Sequence, residues 1–174
     1  MKKQGTPVDA SSLIYLAKAS GLAAANACVG PLLVPPAVWR EVVQAGEARG
    51  DPETHRVANA ESSGWVSRVV LDGRQRRAAQ ALMTEFKLGA GESEVLALGH
   101  DRQLVIIDEF RGTRIAQLLG IVVASTLMIP LLCADRRVLD AAQSLKLLHD
   151  IARYAGAGAS EIDRVGQRIK ECFQ

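Results

Sequence analysis

The chain has 174 residues, 48% of them apolar, which is enough to bury one core and excludes a disordered tract. Aromatic residues make up only 4%, so Leu, Val, Ile and Ala must build the core, and an extended platform of stacked rings for nucleic acid is excluded. A net charge of +2 excludes a protein that coats DNA by charge alone, and the basic runs at 73–80 and 135–140 read as solvated helix faces.

In chain order, TPVDA (6–10) reads as a short strand, and Asp9 stands where it hands over to a helix. SSLIYLAKAS carries Leu13, Ile14, Leu16 and Ala17 at helical spacing, with Ser11 or Ser12 as N-cap and Gly21 as stop. Residues 21–30 read as a small helix and PLLVP (31–35) as an apolar strand. PAVWREVVQAG (36–46) reads as a helix with Pro36 in its first turn and Gly46 past its end, and Glu41 lies one turn in. A polar helix is predicted over 51–63, a strand or extended connector over 64–70, and a helix over 74–88. Gly89 and Gly91 then break the chain ahead of a helix that begins at Glu92. LVIID (104–108) is the clearest strand: its run of four apolar residues suits a strand covered on both faces. A helix over 111–120, a strand over 121–125, helix from 126 to about Tyr154, a Gly/Ala break and a terminal helix complete the chain.

Cys28, Cys133 and Cys172 are far apart, and their odd count argues against a disulfide framework, so a reducing, cytoplasmic setting is expected. The three histidines show no metal-binding spacing. No secretory signal is read at the start, where Lys2 and Lys3 precede Gln4-Gly5-Thr6-Pro7. The uncharged run 118–134 is short for a membrane span and is interrupted by Gly120, Ser125, Thr126 and Pro130, so it reads as a strand followed by a buried helix, with no membrane partner.

Short apolar strands alternating with helices predict an α/β fold: a three-layer α/β/α sandwich around a short, mostly parallel sheet. Ligand sites in such sheets form at the carboxyl ends of strands. There the chain places acids in apolar surroundings: Asp9 in PVDASSLI, Glu41 in AVWREVV, Glu92 and Glu94 in GESEVLAL, Asp108 and Glu109 in VIIDEF. A carboxylate beside a core is costly unless it is paired or binds a cation. Several converging carboxylates repel one another, and a divalent cation with oxygen ligands, Mg²⁺ or Mn²⁺, removes that repulsion. Taken singly, each acid has a plainer role: Asp9 as a helix cap, Glu41 as an exposed helix residue, the glutamate pair as a complement to a helix dipole, Asp108 and Glu109 as turn residues. Their joint occurrence at strand–helix junctions favours a site.

The segments VDASSLIYLAK, LVPPAVWREVV, GAGESEVLALG and LVIIDEFRGTRIAQLLGI occur in the order found in PIN-domain proteins. The chain resembles that family over about residues 6–130, most of all a VapC-like branch with a GE-x-E segment. The resemblance implies a parallel-sheet nuclease fold over 1–154, followed by a linker and helix (155–174) packed on the same domain or on a partner. It implies hydrolysis of RNA with Mg²⁺ or Mn²⁺, a homodimer, and a toxin role with a small antitoxin protein as partner. Carried over residue by residue, it makes Asp9, Glu41, Glu92, Glu94 and Asp108 catalytic, with Asp9, Glu94 and Asp108 on the metal. Ser11 supports the first acid, Glu109 is a further acid, and Arg111 and Arg114 are candidate phosphate contacts. Ser125-Thr126 stands where the family usually has Gly-Thr.

Residues two apart on a helix point to nearly opposite sides, so Glu92 and Glu94 reach one site only if Glu92 lies outside helical geometry, with the glycines permitting the bend. Among rivals, a phosphatase with Asp9 as nucleophile usually wants an acid two residues on, where this chain has Ser11. A dinucleotide enzyme lacks its G-x-G-x-x-G. A catalytically inactive PIN-like module that binds RNA or a partner protein is the remaining alternative.

Overall fold

The computed structural model describes residues 5–102 and 104–174. The opening residues 1–4, read above for a secretory signal, lie outside the described residues.

Five short strands, β1 (Thr6–Pro7), β2 (Leu32–Val34), β3 (Val66–Arg68), β4 (Leu104–Ile106) and β5 (Val122–Ala124), form the middle layer of the α/β/α sandwich. β1 pairs with β2 and β2 with β3, while β4 pairs with β5, all parallel. A parallel bridge between Val8 and Ile106 joins the two halves, giving the order β3-β2-β1-β4-β5. The winding direction reverses between β1 and β4. At such a switch point the connecting loops part and leave a crevice at the strands' carboxyl ends. Asp9 and Asp108 stand at that crevice, and the Asp9 N–H donates to the Ile106 carbonyl at 3.1 Å.

The strands are short because the chain leaves the sheet as soon as its apolar run ends. Leu32, Val34, Val105 and Ile106 are closed to solvent, as expected for strands covered on both faces. They meet Leu13 and Leu16 of α1 (Ala10–Lys18) and Val95 and Leu96 of α7 (Ala90–Arg102) in one apolar core. Burying each such side chain contributes about 1.5–3 kcal/mol. The core extends through Ile129 of α9 (Met128–Asp135) and Leu148 of α10 (Ala141–Ala155) to Ile169 of α11 (Ala159–Glu171), so the terminal helix packs on the same body.

Several local expectations are corrected. The N-cap of α1 is Asp9 itself, whose side chain accepts from the Ser12 N–H, and neither serine takes that role. The helix starting at Pro36 does not stop at Gly46. It runs as α3 (Pro36–Trp39), a π-helical turn (Arg40–Gln44) and α4 (Ala45–Arg49), ending at Gly50 in the left-handed conformation with φ 75°. Gly46 is needed for a different reason: the hydroxyl of Thr54, on α5 (Pro52–Ser62), lies where its Cβ would be. Thr54 is buried, and its hydroxyl donates to the Val42 carbonyl inside the π turn at 3.3 Å. The helical stretch after 126 is two helices, because Asp140 opens α10 with a capping box completed by Gln143.

Cys28 of α2 (Leu22–Val29) and Cys133 of α9 form a disulfide, with Cα atoms 5.7 Å apart, and Cys172 is free. This corrects the reading from cysteine count: a pairing across 105 residues leaves no trace in spacing. No single helix among the described residues is long and apolar enough to cross a membrane. The run 118–134 contains β5 and α9, the strand and buried helix expected of it.

Candidate active site

A cavity of about 620 Å³ opens at the switch point, and Asp9, Glu41, Glu92 and Glu109 line it together with Arg40. Each carboxylate arrives by a different local device. Asp9 follows β1 and is pinned as the N-cap of α1: its Oδ1 accepts from Ser12 N at 2.8 Å and its Oδ2 from Ser11 Oγ at 3.3 Å. Ser11 thus supports the first acid. Asp9 is only 3% exposed. Burial pushes its carboxyl up to about 6, the hydrogen bonds from Ser12 and Ser11 oppose that rise, and the nearby Asp108 charge adds to it.

Asp108 follows β4 and stands beside Asp9, but it is not among the described residues lining the cavity. Its oxygens accept from Ser12 Oγ at 2.8 Å, Thr126 N at 2.9 Å and Thr126 Oγ1 at 2.8 Å. Ser12 and Thr126 are both fully buried. Thr126, in the Ser-Thr pair that stands where the family usually has Gly-Thr, thus anchors Asp108. The sequence marks Ser12 only as a cap candidate and Thr126 only as part of that departure; a role for either in holding Asp108 is not read from it, although each is a small hydroxyl residue close to a strand–helix junction.

The two glutamates of GESE part company. The helix starts at Ala90, so Glu92 lies inside its first turn, contrary to the expectation that it stands outside helical geometry. Its side chain folds back, and Oε2 accepts from Gly89 N at 3.2 Å. Oε1 is buried with no hydrogen-bond partner. Burial raises the Glu92 pKa; the Gly89 bond opposes this, and the adjacent Glu109 carboxylate and then Asp9 raise it further. Glu94 takes a different partner, the backbone of Ala37, a residue on the wall of the same cavity. Its Oε2 accepts from Ala37 N at 2.7 Å, capping the start of α3, whose own N-cap, Pro35, has no side-chain acceptor.

Two glycines let these parts approach. A Cβ on Gly91 would stand 3.2 Å from Val38 and 3.6 Å from Glu41 Oε2, so α7 and α3 meet closely where the acids gather. A Cβ on Gly112 would stand 2.9 Å from Glu92 Oε1, in the first turn of α8 (Phe110–Leu118). Glu109 caps that helix by accepting from Gly112 N at 2.7 Å.

The two arginines read as candidate phosphate contacts each have a partner within the chain. Arg111 donates to the Phe86 carbonyl, bracing the end of α6 (Gly73–Phe86). Arg114 lies over the Phe110 ring at 5.8 Å. Arg40, which the sequence reading does not single out, is the cationic residue among the described residues that line the cavity. The signal available was its place next to Glu41 in the same turn.

Among the described residues, no group of three or more His, Cys, Asp or Glu side chains is placed to hold a metal ion as it stands. The donor chemistry nonetheless suits a hard divalent ion: carboxylates only, one of them with a buried unpartnered oxygen, and two held above their ordinary pKa by burial first and by neighbouring acids second.

A parallel α/β/α sandwich whose strand ends gather carboxylates at the switch point has a nuclease-type architecture. The chain matches the DUF3368 family model, described as a PIN domain, over residues 7–162, and it belongs to that family. No curated protein and no solved structure is detectably similar to it.

Proposed function

We propose that this protein is a Mg²⁺- or Mn²⁺-dependent endoribonuclease. The observation that carries the reading is Glu92 Oε1, a buried carboxylate oxygen with no donor, on the same cavity as Asp9 and Glu109. Burying uncompensated acid costs several kcal/mol, so a fold keeps such an arrangement where a cation is to be taken up. Asp9, Glu92 and Glu109 would hold the ion, with Glu41 across the cavity and Asp108 fixing Asp9 through the shared Ser12. When bound, a divalent cation neutralises charge developing on a phosphate and lowers the pKa of water. The chain's own residues do the rest. Asp9 and Glu92 are acceptors positioned to orient a water, and Arg40 supplies a guanidinium to a phosphate oxygen. Gly91 and Gly112 let the elements that carry Glu41, Glu92 and Glu109 approach closely.

The VapC-like branch, and with it a cytoplasmic toxin acting as a homodimer and neutralised by a small antitoxin protein, is the finer part of the proposal. It rests on the order of the acidic segments and predicts growth arrest on expression, relieved by a short neighbouring reading frame.

The direct test is cleavage of single-stranded and structured RNA. Mn²⁺ or Mg²⁺ should support cleavage, EDTA should stop it, and Asp9→Asn should lower the rate by about a thousandfold or more without unfolding the protein. Cleavage that survives chelation, or equal activity in Asp9→Asn, would remove the metal-dependent reading. A folded wild type that binds RNA without cutting it would establish the inactive PIN-like module instead.

A further inference from the structure

The acidic cavity has a neighbour. A second cavity of about 750 Å³ lies along the outer edge of the sheet, against β3, and Trp39, Arg40, Glu61 and Arg68 are among its walls. Its size is that of a small-ligand site. Arg40 lines both cavities, so this residue stands between them. Beyond it, the Arg68 guanidinium lies over the Trp39 ring, 4.8 Å from its centroid. Glu61 Oε1 holds Arg68 Nε at 3.3 Å. The result is a cationic group over an aromatic ring, held from its Nε side by a carboxylate.

We propose that this second cavity seats the base of a nucleotide flanking the RNA bond to be cut, stacked on the Arg68–Trp39 pair, with Arg40 on the phosphate between the two cavities. The proposal rests on the nuclease reading of the first cavity and names its substrate subsite. Three features favour a base over other occupants. An unpaired base is planar and stacks on aromatic rings or guanidinium planes. The walls carry two guanidinium groups against one carboxylate, and that carboxylate is already paired, which suits an anionic backbone. Arg40 lies where a strand crossing from one cavity to the other must carry its phosphate. A single stack of this kind is compatible with an aromatic content too low for an extended platform. It selects for an unpaired, flippable nucleotide rather than for sequence.

The test is binding of a short fluorescein-labelled single-stranded oligoribonucleotide of mixed sequence to the full chain in EDTA, followed by anisotropy. Arg68→Ala should weaken binding about tenfold, in the range of one stacked base. Arg68→Lys should fail to restore it, because an ammonium keeps the charge and loses the plane. Arg40→Ala should weaken binding and reduce the salt dependence by about one phosphate contact. The chain has two tryptophans, so Trp65→Phe leaves Trp39 as the sole emitter, and its fluorescence should quench in step with the anisotropy. Wild-type affinity in Arg68→Ala or Arg68→Lys, unquenched Trp39 at saturation, or no binding by the wild type would each overturn the subsite. If the subsite fails while Asp9-dependent cleavage persists, the nuclease reading stands alone. If Trp39 is quenched by an RNA that no metal allows the protein to cut, the subsite stands and the nuclease reading falls.

Discussion

Asp108 and Glu92 are both carboxylates in the electrostatic neighbourhood of Asp9, and the fold surrounds them in opposite ways. Asp108 receives three hydrogen bonds, from Ser12 Oγ and from the backbone and hydroxyl of Thr126. Glu92 receives one, from Gly89, and leaves Oε1 buried without a donor beside the acid Glu109. The first acid is built into the scaffold: its donors tie β4, α1 and the turn after β5 together. The second is held short of partners, which costs stability and leaves acceptor capacity for something from outside. The contrast separates acids that hold the site from acids that use it.

Truncation should expose this difference most strongly. Asp108→Ala leaves two buried hydroxyls and a backbone N–H without their acceptor and should cost about 3–5 kcal/mol in a urea melt. Glu92→Gln removes a carboxylate whose burial is poorly compensated, and in EDTA it should be neutral or stabilising by about 1 kcal/mol. Equal losses in the two variants would erase the distinction.

Asp9 lies between the two cases and gives the pH dependence. Its folded pKa of about 6 is above the ordinary carboxylate value. The folded state therefore favours the neutral acid, and that contribution is complete below about pH 4 and lost as pH rises through about 6. Without divalent cation, stability should fall by about 2–3 kcal/mol over that window, with Glu92 acting in the same direction. Asp9→Asn should flatten most of the slope, and Mg²⁺ or Mn²⁺ should offset the loss above pH 6 in the wild type only. A slope unchanged in Asp9→Asn would assign the titration to another group.

Much of the scaffold was legible because its signals are local. The runs LLV and LVI are apolar without alternation, as strands buried on both faces require; Asp108 stands just past the second run, and Asp9 just past β1. What escaped the sequence depends on parts far apart in the chain. The Cys28–Cys133 pair, the Thr54 hydroxyl inside the π turn and the hold of Thr126 on Asp108 join elements whose proximity only the assembled sheet decides. Arg40 escaped for a related reason: the π turn begins at this residue, and Arg40 lines two cavities. π turns of this kind are often found at functional positions, but sequence periodicity does not announce them.

Glu94 gives the smallest effect and the sharpest test of the comparison. Read as a metal ligand by resemblance, it reaches from α7 to the first turn of α3, where its Oε2 accepts from Ala37 N beside the cavity. A carboxylate there complements the positive end of a helix. Glutamine keeps an acceptor for Ala37 and loses only the charge, so Glu94→Gln should cost about 0.3–1 kcal/mol. Glu94→Ala removes the cap and should cost about 1 kcal/mol or slightly more. Because α3 leads directly into the turn bearing Arg40 and Glu41, a lost cap should also loosen the cavity rim, and cleavage should decline with stability across the two variants. A Glu94→Gln protein with unchanged stability and no cleavage would break that link, and would move Glu94 from the acids that hold the site to those that use it.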